Sequence, residues 1–169
     1  MLDPRRRRGV VADPIMTRRR VGVLISGRGS NLKALLDACA ASDYPAEIVT
    51  VISDRADAGG LAFAQAAGIA NAIVERAGFT DRAGFEGEIS RRLRAADVEL
   101  ICLAGFMRLL SAAFVAAWPD RVLNVHPSLL PAFPGLDTHE RVIAAGTRIT
   151  GCTVHFVRAK VDSGPIIVQ

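Results

Sequence analysis

The stretch "LNVHPSLLPAFPG" (Leu123–Gly135) sets Asn124 and His126 two residues apart at the end of an apolar run. In a strand, alternate residues face the same way, so these two polar side chains project together while Val125 turns into the packing. Pro127 disfavours the helical region for His126 and keeps it extended. An imidazole exchanges protons near neutral pH, and a carboxamide N–H can stabilise a developing oxyanion. Neither residue is rare alone, and a lone strand-end histidine is most often structural. A nearby carboxylate would favour the cationic ring and fix its orientation. Asp162, in "KVDSGPI", is the candidate, although Ser163, Gly164 and Pro165 equally mark an ordinary turn.

A second stretch, "SGRGSN" (Ser26–Asn31), follows an apolar run and opens a helical pattern. It departs from G-x-G-x-x-G because Leu32 holds the third glycine's place. Its glycines permit a tight turn, and the amides of Gly29, Ser30 and Asn31 would face outward at a helix N-terminus, where an anion is favoured. A monophosphate suits that turn better than a dinucleotide. Half of such turns are merely turns. Cys39, Cys102 and Cys152 are odd in number and lack C-x-x-C spacing, so they read as reduced thiols of a cytosolic protein. No His/Cys cluster has the spacing of metal ligands, and no cysteine has a catalytic partner in sequence.

These groups need elements to hold them. "VGVLIS", "EIVTVIS", "AIVE", "VELICLAGF" and "RVLNVH" are short apolar runs of strand length. Between them lie helical patterns: "SNLKALLDACAA" capped by Ser30 or Asn31, "AGGLAFAQAAG", Asp81–Ala96 with Phe85, Ile89 and Leu93 four apart, and "SAAFVAAW". "THERVIAAG" (Thr138–Gly146) reads as a helix with a threonine cap, and "ITGCTVHFV" and "GPIIVQ" as closing strands. The alternation predicts an α/β fold: an open, mostly parallel twisted sheet with helices on both faces. Such sheets bind ligands beyond the carboxyl ends of their strands.

A chain of 169 residues suits one domain, and half of its residues are hydrophobic. No apolar stretch reaches the ~20 residues of a membrane helix, and no secretory signal is evident. The net charge of +4 is uneven: residues 1–20 carry +5 and the other 149 residues −1. Residues 1–20 therefore read as a basic, flexible leader and 21–169 as a single folded domain, with Met16 an alternative start. If Arg5–Arg8 and Arg18–Arg20 instead form a nucleic-acid arm, binding should be steeply salt-dependent and lost on deleting residues 1–20. A dinucleotide oxidoreductase is disfavoured by the broken glycine fingerprint.

"LISGRGSNL", "LAGFMRLL", "NVHPSLLPAFPGLDTH" and "VDSGPIIVQ", in this order between Val21 and Gln169, resemble the phosphoribosylglycinamide formyltransferase family, folate-dependent enzymes of purine (IMP) synthesis. Methionyl-tRNA formyltransferases and formyltetrahydrofolate deformylases share N-x-H and the distal aspartate. "FPGLDTHERVIAAG" and "GRGSN" resemble the glycinamide enzymes more. The resemblance implies a Rossmann-like formyltransferase domain that moves a formyl group from 10-formyltetrahydrofolate, a co-substrate, to the amine of glycinamide ribonucleotide. Asn124, His126 and Asp162 match its catalytic positions, and Gly29, Ser30 and Asn31 its substrate-phosphate loop. Arg82, in "FTDRAGF", with Met107, Arg108, Leu109 and Leu110, matches the folate-contacting positions, and Asn124 also touches the formyl group. It implies no metal, a cytoplasmic enzyme and small-molecule partners, with no membrane and with nucleic acid disfavoured. Outside that context Met107, Leu109 and Leu110 would pass as core and Arg108 as a solvated charge. His139 and His155 are set aside as a helix first-turn residue and a strand residue. The tight proline loop suggests a cis Leu130–Pro131 bond, against the usual trans preference. The family continues past the position of Gln169 through another strand and a terminal helix, so the chain is expected to lack that segment. Its exposed edges then favour pairing with another chain, a homodimer included.

Overall fold

A computed structural model describes residues 17–169. The run Arg5–Arg8 and the alternative start at Met16 lie outside the described residues. Seven strands form one sheet: β1 (Arg19–Ile25), β2 (Ala46–Ser53), β3 (Asn71–Ile73), β4 (Leu100–Leu103), β5 (Val122–His126), β6 (Thr153–Phe156) and β7 (Ile166–Val168). Among the described residues five α-helices accompany it: α1 (Ser30–Cys39), α2 (Gly60–Ala66), α3 (Arg82–Ala95), α4 (Ala112–Ala117) and α5 (Thr138–Ala144). The sheet order is β3-β2-β1-β4-β5-β6-β7. Strands β1 to β5 pair in parallel, whereas β5–β6 and β6–β7 are antiparallel.

The central strands are apolar on both sides because each face is packed. Val23 and Ile25 of β1 join Leu32 of α1 and Leu61 of α2 in one buried cluster. Leu24, between them, joins Phe85, Ile89 and Leu93 of α3 and Phe114 of α4 in the other. The alternation along β1 thus divides its side chains between two helical layers. Burying each such side chain contributes roughly 1.5–3 kcal/mol. The order reverses at β1, whose neighbours are β2 and β4, so the carboxyl ends of β1 and β4 open a crevice at the switch point.

Several local expectations need correction. Arg19 and Arg20, expected outside the folded domain, belong to it: β1 starts at Arg19, and Arg18 donates from Nε to the carbonyl of Tyr44 at 3.0 Å. Arg19 pairs with Glu99 at 2.7 Å and Arg20 with Glu47 at 3.3 Å, so this arginine run edges the sheet. Neither Ser30 nor Asn31 caps α1; the N-cap is Gly29, in the left-handed region at φ 82°, with no side-chain cap. Likewise Asp137, not Thr138, is the N-cap of α5, and the Thr138 hydroxyl donates to the Gly135 carbonyl at 3.1 Å instead. Val125 does not turn into the packing but is 39% exposed. The Leu130–Pro131 bond, by contrast, is cis as the tight loop suggests.

Candidate functional site

Asn124 and His126 lie at the end of β5, and antiparallel pairing with β6 sets His155 directly opposite Asn124 and Thr153 opposite His126. The Asn124 Nδ2 to His155 Nε2 distance is 3.3 Å. After β6 the chain does not turn tightly into β7. Residues 157–165 fold back over the strand ends and carry Asp162, left-handed at φ 48°. Such backbone in a non-glycine residue is uncommon and is held only by strong surroundings. Its holder is the amide of Gly135, which donates to Asp162 Oδ2 at 2.8 Å.

The carboxylate of Asp162 stands between two imidazoles. Oδ2 is 3.3 Å from His126 Nδ1, and Oδ1 is 3.5 Å from His155 Nε2. His126 Nε2 lies 2.8 Å from the carbonyl of Phe133, itself left-handed at φ 53°. His126 is 4% exposed and His155 2%. An acceptor thus faces each nitrogen of the His126 ring, so a doubly protonated imidazolium would have a partner for both N–H groups.

These side chains border a cavity of about 320 Å³ at the carboxyl ends of β4 and β5, whose wall includes Asn124, His155, Asp162, Arg82, Arg108 and Leu110. Leu109 also lines it, whereas Met107 does not: the residue is 67% exposed and its amide donates to Ser26 Oγ at 2.8 Å. That bond ties the "MRLL" segment to the mouth of the glycine turn. His126 also lies off the wall, behind the Asp162 carboxylate. Two cavity arginines are held by buried carboxylates, Arg108 Nε by Asp54 at 2.6 Å and Arg82 Nε by Glu86 at 2.9 Å. Ser30 and Asn31 are exposed at the start of α1 and Gly29 is buried beneath them. His139 sits exposed in the first turn of α5, clear of the cavity. Among the described residues, no group of three His, Cys, Asp or Glu side chains is placed to hold a metal ion, and no helix is long and apolar enough to cross a membrane.

Sequence reasoning set His155 aside, and the structure puts it in the wall. The available signal was the pattern "TVHFV", which places His155 on a strand. Nothing in the sequence says that this strand runs antiparallel beside β5. Glu86 and Asp54 were missed for a similar reason, since Ser111 and Arg108, which complete their pairing, lie 25 and 54 positions away.

Such a sheet, with an asparagine, two histidines and an aspartate gathered at its carboxyl edge, is suited to acyl-group chemistry by proton transfer and oxyanion stabilisation. Residues 19–169 match the family described as Formyl transferase. The chain is 44% identical over 151 residues to the phosphoribosylglycinamide formyltransferase of Haemophilus influenzae, covering 89% of this chain and 71% of that protein. It is 51% identical over 154 residues to the trifunctional purine biosynthetic protein adenosine-3 of Drosophila melanogaster, covering 90% of this chain but 11% of that one. The crystal structure of the phosphoribosylglycinamide formyltransferase from Brucella melitensis superposes with a TM-score of 0.86 at 52% identity, covering 90% of this chain and 79% of that one. The chain belongs to the formyl transferase family.

Proposed function

We propose that this chain transfers a formyl group from 10-formyltetrahydrofolate to the primary amine of glycinamide ribonucleotide, a step of purine biosynthesis. The amine nitrogen attacks the formyl carbon, and the carbonyl oxygen becomes negative as the tetrahedral intermediate forms. Asn124 donates to that oxygen from the cavity wall. Nδ1 of His126 faces the Asp162 carboxylate at 3.3 Å, and the protonated ring behind that carboxylate supplies the second stabilising charge. Losing such a donor costs roughly 3–4 kcal/mol. Asp162 holds the imidazolium, takes the proton from the attacking amine and returns it, through water, to the folate nitrogen as the carbon–nitrogen bond breaks. The pterin would occupy the cavity beside Leu109 and Leu110, with Arg82 and Arg108 at its anionic end. The phosphate would rest on the amides of Gly29, Ser30 and Asn31, which no side chain caps. Cys39, Cys102 and Cys152 are unpaired, which suits a reducing compartment such as the cytosol.

The observation that supports this most is the meeting of Asp162 with His126 at 3.3 Å, beside Asn124, at the cavity. The decisive assay offers 10-formyltetrahydrofolate with glycinamide ribonucleotide, initiator methionyl-tRNA or water alone. Formylation of the ribonucleotide is expected. Transfer to tRNA, or release of formate alone, would overturn the assignment.

A further inference from the structure

The buried face of α3 contains one carboxylate, Glu86, 5% exposed among Phe85, Ile89 and Leu93. A carboxylate so placed must be paired, because removing its charge from water costs several kcal/mol. Every partner it has belongs to the cavity wall. Arg82 Nε donates to Oε1 at 2.9 Å, the Ser111 amide donates to the same oxygen at 2.8 Å, and the Ser111 hydroxyl donates to Oε2. Arg82 then donates from Nη2 to the Leu109 carbonyl. Arg82, Leu109 and Ser111 all line the cavity.

Two edges of the Arg82 guanidinium are therefore spent on being held, while Nη1 makes no hydrogen bond among the described residues. The side chain remains 48% exposed at the cavity. A guanidinium fixed in this way loses little freedom on meeting a carboxylate, whereas an untethered one must be ordered first. We infer that Glu86 is a positioning residue that sets affinity for the glutamyl carboxylates of the formyl donor by aiming Arg82 at them. This rests on the proposed use of a formyl folate. It assigns Glu86 no contact with substrate.

Calorimetric titration of the full chain separates these ideas without requiring turnover. The probes are 10-formyl-5,8-dideazafolate and its counterpart lacking the glutamyl group. Glu86→Gln keeps an acceptor for the Ser111 amide and removes the charge that holds Arg82. It should weaken binding of the glutamyl probe roughly tenfold, the value of one charge-assisted hydrogen bond, and leave the shorter probe within about twofold. In an Arg82→Ala background the same substitution should add nothing. Glu86→Ala, checked for folding by its melting transition, should follow the same split with a larger loss. Equal weakening of both probes, or an undiminished effect without Arg82, would overturn the inference. A wild type that binds the glutamyl probe more tightly but transfers no formyl group would overturn the proposed function alone. A wild type that binds neither probe would overturn both.

Discussion

Asp162 lies 3.3 Å from His126 Nδ1 through the same oxygen that accepts the Gly135 amide at 2.8 Å. The carboxylate is thereby pinned by backbone while it holds the ring. Asp162→Asn can keep the Gly135 bond through its one carbonyl oxygen, so the loop should stay in place. Turnover should nevertheless fall about a hundredfold or more, with Michaelis constants changed only modestly. His126→Ala should remove most activity and leave folate binding measurable by titration. Near wild-type turnover in either variant refutes the assigned role.

His155 is fully buried, and its Nε2 lies 3.3 Å from Asn124 Nδ2 and 3.5 Å from Asp162 Oδ1. His155→Phe preserves most of the volume and removes the nitrogens. Either the Asn124 amide, if Nε2 accepts, or the Asp162 carboxylate, if Nε2 carries a proton, would then lose its partner, and kcat should drop about tenfold. Steady-state kinetics alongside a melting curve checks this. Unchanged kcat in a folded variant would make His155 a packing residue only.

Gly164 sits where a Cβ would come 1.7 Å from the Phe156 carbonyl oxygen, a backbone atom that cannot step aside cheaply. Gly164→Ala must push the loop off β6 and carry Asp162, two residues earlier, away from the histidines. A loss of about 3 kcal/mol is expected, together with a fall in turnover larger than that of a comparable loop substitution. Thermal unfolding, with a drop of roughly 6–12 °C, is the measurement.

Gly29 combines φ 82° with a near contact: an added Cβ would lie 2.4 Å from Gly60 Cα. The turn is thus closed between the starts of α1 and α2. Gly29→Ala should destabilise the turn and raise the Michaelis constant for the phosphorylated substrate far more than for the folate. Equal changes in the two constants would argue that no phosphate rests there.

Burial pushes the Cys102 thiol on β4 up from its ordinary 9.0 to about 11. Below pH 9 both folded and unfolded chains keep that proton. Between pH 9 and 11 the unfolded chain releases it and the folded chain does not, so stability should fall as pH rises across that window. Denaturant titrations should show a shallower alkaline loss in Cys102→Ala than in the wild type, and parallel curves would refute the assignment. Thiol reagents should likewise leave Cys102 unreacted at neutral pH.

The elements themselves were legible because their signals are local. The apolar runs of β1 and β4 need only to be buried on both faces, and the spacing of Phe85, Ile89 and Leu93 needs only one helical face. Asn124 and His126 could be singled out for the same reason, as two polar residues at a strand end before a proline. Caps read less well. Gly29 and Asp137 take the positions that Ser30, Asn31 and Thr138 would fill by preference, because backbone placement at those turns requires left-handed residues.

What tertiary structure decided was partnership. The direction of β6 is not written in its own residues, since a strand of four residues is too short to show which pattern it follows. Only the antiparallel return of β6 brings His155 opposite Asn124, and only the fold-back of residues 157–165 sets Asp162 between the two imidazoles. The same holds for Glu86 and Asp54, whose buried charges are intelligible once Ser111 and Arg108 arrive from beyond their own elements. Residue types determined which chemistry was available. Long-range packing, where burial makes an unpaired charge costly, determined which groups share it.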